Sequence, residues 1–252
     1  MQKGLIIGII PARYGSTRFP GKPMVDIHGR SMILRVCDQA QKAGVLQEIL
    51  VATDDTRIFD HVTEGGYRCV MTSPAHRSGT DRCLEALDTF SRNENRNFDY
   101  VINIQGDEPF LPPEHIRQVT GLLMEEDATI ASLVRLIDSQ DNLFDPNVVK
   151  AVFGDDHQAL YFSRHPLPYL RNVDESGWLA RKAHYKHIGI YGFRADILRQ
   201  VCALPVGRLE EMESLEQLRW LEAGYSIKLG VTELENISID TPLDLLKISN
   251  KD

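Results

Sequence analysis

Short buried-looking strands and amphipathic stretches alternate through the first half of this chain, and that alternation restricts the fold more than any other feature. The runs LIIGII (5–10), EILVAT (48–53), YRCVM (67–71) and DYVINIQ (99–105) are apolar, rich in β-branched residues and bounded by turn residues. Helical patterns lie between them. Ser31 stands where an N-cap belongs before Ile33, Val36, Cys37 and Ala40, and Gly44 can end that helix. DDTRIFDHVTEGG (54–66) closes on two glycines, TDRCLEALDTF (80–90) is amphipathic behind Thr80 or Asp81, and 113–126 opens with proline. ATIASLVRL (128–136) and NVVKAVF (147–153) read as further strands. A β-α-β-α-β-α-β order predicts an α/β fold with a mostly parallel central sheet flanked by helices.

The order then becomes irregular. ALYFSR (159–164) and HIGIYGFR (187–194) look like strands separated by a polar stretch, 172–182, which suits a mobile loop or a dimer contact. LEEMESLEQLRWLEAG (209–224) reads as one long helix with Met212, Leu215, Leu218 and Leu221 on its apolar side. Glu210, Glu213, Glu216 and Gln217 are then most simply its solvated face. YSIKLGVT (225–232) and TPLDLLKIS (241–249) close the chain as strand and helix. With no repeat, low-complexity segment or linker, residues 1–252 are expected to form a single domain with an excursion around 165–187.

The first strand ends in the stretch PARYGSTRFPGKP (11–23). Pro11, Pro20 and Pro23 lack the amide proton a helix needs and clash inside one, so this is a stiff loop. It carries Arg13, Arg18 and Lys22. In open α/β sheets ligands bind beyond the carboxyl ends of the strands, and three cations there point to an anion such as a phosphate. The alternative is that they are solvated loop charges. A Walker A loop is excluded: Gly15 and Gly21 enclose five residues rather than four, and Pro23 stands where a hydroxyl should follow Lys22. No G-x-G-x-x-G occurs either.

The net charge of −8 argues against broad nucleic-acid binding, which needs a basic face. An anionic substrate must therefore be drawn in by local cations or a metal. Cys37, Cys69, Cys83 and Cys202 are scattered, without a C-x-x-C, and read as small apolar residues in a reducing compartment. No apolar stretch approaches a membrane span, and the N-terminus shows no signal-peptide pattern. A cytoplasmic protein with no membrane insertion is expected.

NIQGDEPF (103–110) puts Asp107 just past a buried strand, with Gly106 allowing close backbone approach and Pro109 stopping a helix. A carboxylate there suits magnesium, which takes one or two carboxylates plus substrate phosphates; an Asp/Gly turn explains it equally. Asp240, in SIDTPLDL (238–245), is a second candidate or simply an N-cap. Ser78 and Thr80, in HRSGTDR (76–82), suit an anion site at a helix N-terminus, and capping accounts for both as well. His184 and His187 would lie on opposite faces of a strand with no third ligand, so zinc is not expected. His187 and Tyr191 would share a face.

In this order, and over nearly the whole chain, IPARYGSTRFPGKP, SGTDR, NIQGDEPF, ALYFSR, HIGIYGF, LEQLR and IDTPLDL resemble the CMP-Kdo synthetases. These are the 3-deoxy-manno-octulosonate cytidylyltransferases of lipopolysaccharide biosynthesis. Phe19 and Met24 stand where that family usually has leucine, and ELENIS (233–238) departs from its Gly-containing approach to the last motif. The related CMP-sialate synthetases typically carry Ser-Lys and Gly-Lys-Asn in the loop; Thr17-Arg18 and Gly21-Lys22-Pro23 favour the Kdo branch. The resemblance implies a Rossmann-like nucleotide-diphospho-sugar transferase fold, a homodimer, Mg2+, and conversion of CTP and Kdo to CMP-Kdo and pyrophosphate, with 8-amino-Kdo or sialic acid as the alternative sugar. By the same resemblance Arg13, Arg18 and Lys22 bind the CTP phosphates, and Pro11, Ala12, Ser78 and Gly79 line the cytidine site. Asp107 and Asp240 hold magnesium, and Gln105, Arg164, His187, Tyr191, Glu210 and Glu213 contact the acidic sugar. Two rivals fit less well: glycosyltransferases of similar topology usually carry an Asp-x-Asp motif, absent here, and a non-catalytic sugar-nucleotide binder could dispense with Lys22 or Asp107.

Overall fold

The computed structural model describes residues 4–15, 19–239 and 241–249. In chain order the elements are β1 (Ile6–Ala12), the small hairpin β2 (Asp26–Ile27) and β3 (Arg30–Ser31), α1 (Met32–Lys42), β4 (Glu48–Thr53), α2 (Thr56–Glu64), β5 (Arg68–Met71), α3 (Gly79–Glu94), β6 (Tyr100–Asn103) and α4 (Pro113–Leu123). Then come β7 (Ile130–Leu136), α5 (Gln140–Phe144), β8 (Lys150–Phe153), β9 (Ala159–Ser163), β10 (Tyr185–Arg194), α6 (Ala195–Cys202), α7 (Arg208–Glu213), α8 (Gln217–Glu222), β11 (Ile227–Val231) and α9 (Pro242–Ser249). The chain falls into two compact units, 1–117 with 194–202 and 236–252, and 118–193 with 203–235. Their pieces are interleaved in sequence, which is why no change of composition marks them.

The first unit is built on parallel strands. β1 pairs with β4 on one side and β6 on the other, and β4 pairs with β5, giving the order β6-β1-β4-β5. Ile6, Ile7, Ile9 and Ile10 are all buried, as a strand covered on both faces requires. The chain leaves β1 toward β4 and β5, then returns through α3 to β6 on the opposite side of β1. At such a reversal the loops after the two central strands run apart and leave a crevice at their carboxyl ends. α1 starts at Ser31, whose hydroxyl accepts from the Leu34 amide at 3.4 Å, and it buries Ile33, Val36, Cys37 and Ala40 as its spacing predicts. Cys37 and Cys83 are buried and Cys69 and Cys202 partly so; all four are free thiols.

The second unit is mixed. β7 takes β11 in parallel and β10 antiparallel; β10 pairs with β8, and β8 with β9, both antiparallel. The β7–β10 register shifts between Ile188 and Tyr191, a bulge that re-aims the side chains around it. The polar stretch 172–182 holds two short turns of 3-10 helix, Glu175–Gly177 and Leu179–Arg181, around Trp178, which is buried with Ile137 and Leu143.

The long helix expected over 209–224 is two short ones. Ser214 takes a left-handed φ of 52° that ends α7, and α8 begins three residues later. A periodic apolar pattern runs straight across such a break. Met212 is consequently 71% exposed rather than part of the core, whereas Gln217, expected in solvent, is 6% exposed.

Candidate functional site

The crevice of the first unit is a cleft of about 250 Å³ lined by Pro11, Ala12, Arg13, Lys22, Ser78, Gly79, Gln105 and Asp107, together with Pro23, His76, Arg77, Arg82 and Gly106. Eight residues expected to bind substrate or metal therefore meet at one place. Arg18 and Asp240 lie outside the described residues. The proline-bounded loop after β1 is shaped by local bonds: the Gly21 amide donates to Tyr14 O at 3.0 Å and Met24 N to Gly21 O at 2.8 Å. Gly21 has φ 71°, and a Cβ there would lie 3.1 Å from the Tyr14 ring, so glycine is favoured. The other wall needs glycine for another reason: a Cβ on Gly106 would stand 2.7 Å from the Pro11 carbonyl oxygen. The predicted close backbone approach at Gly106 is real, and it seats Asp107 against the end of β1.

Lys22 Nζ donates to Asp107 Oδ2 at 2.8 Å, and both side chains retain contact with solvent. The Ile239 amide donates to the Asp107 carbonyl at 3.0 Å, tying the first residue of the last motif to this strand end. Ser78 is the N-cap of α3, accepting from the Asp81 amide at 3.1 Å, so the amides and positive pole of a 16-residue helix open on the cleft. Asp107 offers one carboxylate beside these groups, a donor of the kind magnesium takes; among the described residues no cluster of three or more metal-ligating side chains occurs.

Three lining residues were not expected from the sequence. Arg82 is 4% exposed and braces the floor: it donates to Thr72 Oγ1 at 2.6 Å and Asp54 Oδ2 at 2.9 Å. His76 pairs through Nε2 with Glu85 Oε2, which also accepts from the Ser73 amide at 2.8 Å. Burial raises the Glu85 carboxyl, but the Ser73 and His76 bonds outweigh it and hold it below its usual range. Arg77 is exposed at the rim. The partners of Arg82 and His76 lie elsewhere in the chain, where no local motif points to them.

Arg164, His187, Tyr191, Glu210 and Glu213 belong to the second unit. The His187 and Tyr191 rings are 5.2 Å apart, on one side of β10 as predicted, and His187 meets Phe162 edge-on at 5.1 Å. Ser132 Oγ lies 2.8 Å from the Ile190 carbonyl oxygen and 2.9 Å from His187 Nε2. A hydroxyl has one proton: directed to a carbonyl it makes Nε2 the donor, and directed to Nε2 it makes that nitrogen the acceptor. Burial pushes the His187 imidazole down to about 3, keeping it neutral. Tyr191 is 8% exposed and packs on Trp220 at 5.1 Å. Its hydroxyl is buried with no hydrogen-bond partner among the described residues, and burial plus the charge of Glu216 raises it well above its usual value.

Arg164 is heavily engaged. Its Nε donates to Glu213 O at 2.7 Å, Nη1 to Pro146 O at 2.9 Å and Nη2 to Ser214 O at 3.2 Å. A guanidinium has five N–H groups, so two remain, one on each terminal nitrogen. The Glu213 carboxylate accepts from Ser163 Oγ at 2.6 Å and the Arg164 amide at 2.9 Å. The expected solvated glutamate face is instead partly an ion-pair cluster: buried Arg219 donates to Glu216 at 2.8 Å and lies 3.3 Å from Glu210. The break at Ser214 turns that segment inward. Gln105 lines the cleft of the first unit.

Residues 7–229 match the family model for cytidylyltransferases. The chain is 49% identical over 246 residues to the 3-deoxy-manno-octulosonate cytidylyltransferase of Cytophaga hutchinsonii, covering 97% of this chain and 96% of that protein. Against the 8-amino-3,8-dideoxy-manno-octulosonate cytidylyltransferase of Shewanella frigidimarina it is 43% identical over 241 residues, covering 95% of each. Among solved structures, a CMP:2-keto-3-deoxy-manno-octonic acid synthetase complexed with CTP superposes with a TM-score of 0.86 at 38% identity, covering 97% of this chain and 96% of that one.

Proposed function

The chain belongs to the 3-deoxy-manno-octulosonate cytidylyltransferases, and from that premise we propose how its residues divide the work. The enzyme joins CTP and Kdo, giving CMP-Kdo and pyrophosphate, on an α/β nucleotide-sugar transferase-like fold. The observation that carries the assignment of roles is the cleft at the β1/β6 reversal, where Arg13, Lys22, Asp107 and the N-terminus of α3 converge.

The chemistry sets an anionic sugar against an anionic α-phosphorus, so neutralising charge and holding an in-line geometry are the main tasks. Arg13 and Lys22 take phosphate oxygens, with Arg18 assigned the same role from its motif. The ring of Pro11, the small Ala12 and the first turn of α3 at Ser78 and Gly79 bound the nucleoside. As phosphates draw Lys22 away from Asp107, that carboxylate becomes available as a ligand. Magnesium, when bound there and by Asp240, supplies further charge neutralisation at the phosphates. Lys22 then faces the charge that grows as pyrophosphate leaves. For the sugar, the two remaining N–H groups of Arg164 match a carboxylate fork. The unpartnered Tyr191 hydroxyl and the neutral His187 ring suit sugar hydroxyls, and Gln105 contacts the sugar from the strand end after β6. Glu213, which accepts from the Ser163 hydroxyl and the Arg164 amide, helps keep Arg164 in place; Glu210, held by the Gly207 amide, keeps the sugar contact that its motif implies. We further infer a cytoplasmic homodimer supplying activated Kdo for lipopolysaccharide; the four free thiols support a reducing compartment. No helix among the described residues is long and apolar enough to cross a membrane.

Pyrophosphate release with CTP, magnesium and a panel of Kdo, 8-amino-Kdo and sialic acid tests the assignment. Kdo should give the highest kcat/KM. Faster turnover of 8-amino-Kdo would move the chain to that branch, and release with none of the three would overturn it.

A further inference from the structure

Lys150 in β8 has no exposed surface. Its ammonium meets main-chain oxygens: Nζ donates to Asp145 O at 2.7 Å, Val148 O at 2.8 Å and Arg164 O at 2.9 Å. An ammonium has three protons, and each has a carbonyl. A neutral amine has two N–H groups and would leave one of these oxygens without a donor. Burial pulls the Lys150 ammonium below its usual value and Arg164 adds to this, while Asp145 and Glu213 oppose it. Taking a charge out of water is costly, and an apolar side chain of similar volume is often as stable or more so in such a place. Stability alone therefore gives weak reason for a lysine here, and what it grips is more informative.

Two of the three carbonyls belong to the turn 145–148 that leads into β8, and the third belongs to Arg164 itself. The same turn presents Pro146 O, which accepts from Arg164 Nη1 at 2.9 Å. Lys150 thus holds both the main chain that carries Arg164 and the turn that aims its guanidinium.

We propose that Lys150 is a positioning residue for the sugar half of the reaction, fixing the direction in which Arg164 presents its two remaining N–H groups to the sugar carboxylate. The inference rests on Arg164 being a sugar contact, and a double-mutant cycle separates the two. Lys150→Met and Arg164→Ala are made singly and together, with KM for Kdo and for CTP, kcat and Tm measured for each. Lys150→Met should raise the Kdo KM about ten-fold and leave the CTP KM nearly unchanged; in the Arg164→Ala background it should add no further rise. Lys150→Gln, which keeps two N–H groups, should fall between wild type and Met, and it carries the cycle if Lys150→Met does not fold. A full additive rise, an unchanged Kdo KM in a folded variant, or an equal loss for CTP overturns the proposal. If Arg164→Ala itself leaves the Kdo KM unchanged, the sugar assignment is what has failed, and the positioning role goes with it.

Discussion

The nucleotide cleft of the first unit and the sugar residues of the second are prepared in opposite ways. In the cleft the cations stay wet: Arg13 and Arg77 are exposed, and Lys22 and Asp107 pair in partial contact with solvent. A triphosphate carries its own dense charge, so it can desolvate and order such groups as it binds. In the second unit the groups are already bonded to one another. Arg164 is held by three carbonyls, Glu213 by two donors, and His187 and Tyr191 by ring packing and Ser132. A sugar offers one carboxylate and neutral hydroxyls, too little to organise loose charges, and the protein supplies the order in advance. Substitutions in the cleft should therefore act on the reaction, and substitutions in the frame on both sugar affinity and folding.

The largest expected effect is at Lys22. Its charge matters most as pyrophosphate departs, so Lys22→Ala should lower kcat by about 10²–10³ with a smaller loss of CTP affinity. A raised CTP KM with unchanged kcat would make Lys22 a ground-state contact. Asp107→Asn sharpens the contrast, because in the free enzyme Asp107 competes with phosphate for Lys22. Turnover should fall strongly, yet CTP binding measured calorimetrically without divalent metal should hold or tighten a few-fold. Weaker metal-free binding in that variant would show that the Lys22–Asp107 pair does not oppose the nucleotide.

Next in size is Arg164→Lys. A lysine has three protons, so it cannot replace Arg164 at its three carbonyls and still offer two parallel N–H groups to a carboxylate. KM for Kdo should rise about ten-fold or more, corresponding to at least ~1.4 kcal/mol. Unlike the cleft variants, this one should also lower Tm, because Glu213 O, Ser214 O and Pro146 O lose their donor. CTP affinity without sugar should barely move. A variant that weakens CTP and spares Kdo would place Arg164 on the other substrate.

The same contrast explains what was legible in the sequence. The cleft is made largely from short contiguous segments, each with its own signal: prolines and cations after a buried strand, Gly106 before Asp107, Ser78 ahead of a helix. Local chemistry was enough to single out these segments, and the family resemblance assigned their roles. The frame depends on pairs far apart in the chain, such as Lys150 with the Arg164 carbonyl and Ser163 with Glu213, which no spacing reveals. Ser214 hid the break between α7 and α8, because serine is not a residue that announces a left-handed backbone. The periodic pattern on either side therefore read as one helix, and the glutamates around Arg219 read as solvated. Arg82 and His76 escaped for the same reason, since Asp54 and Glu85 are what give them meaning.

The smallest expected effect, and the one that tests the prebuilt frame at its most buried point, is Tyr191→Phe. A buried hydroxyl without a partner costs about 1–3 kcal/mol of desolvation that no bond returns in the free enzyme. Removing it leaves the ring contacts with His187, Phe193 and Trp220 in place. The free protein should be as stable as wild type or more so, by about 1 kcal/mol in denaturant unfolding. If a sugar hydroxyl is what completes this group, the same variant should bind Kdo a few-fold more weakly, with CTP unaffected. Stability and sugar affinity then move in opposite directions, which a purely structural tyrosine cannot produce. Loss of stability would mean the hydroxyl already has a partner in the free enzyme. A gain of stability with unchanged Kdo KM would leave Tyr191 outside the sugar site.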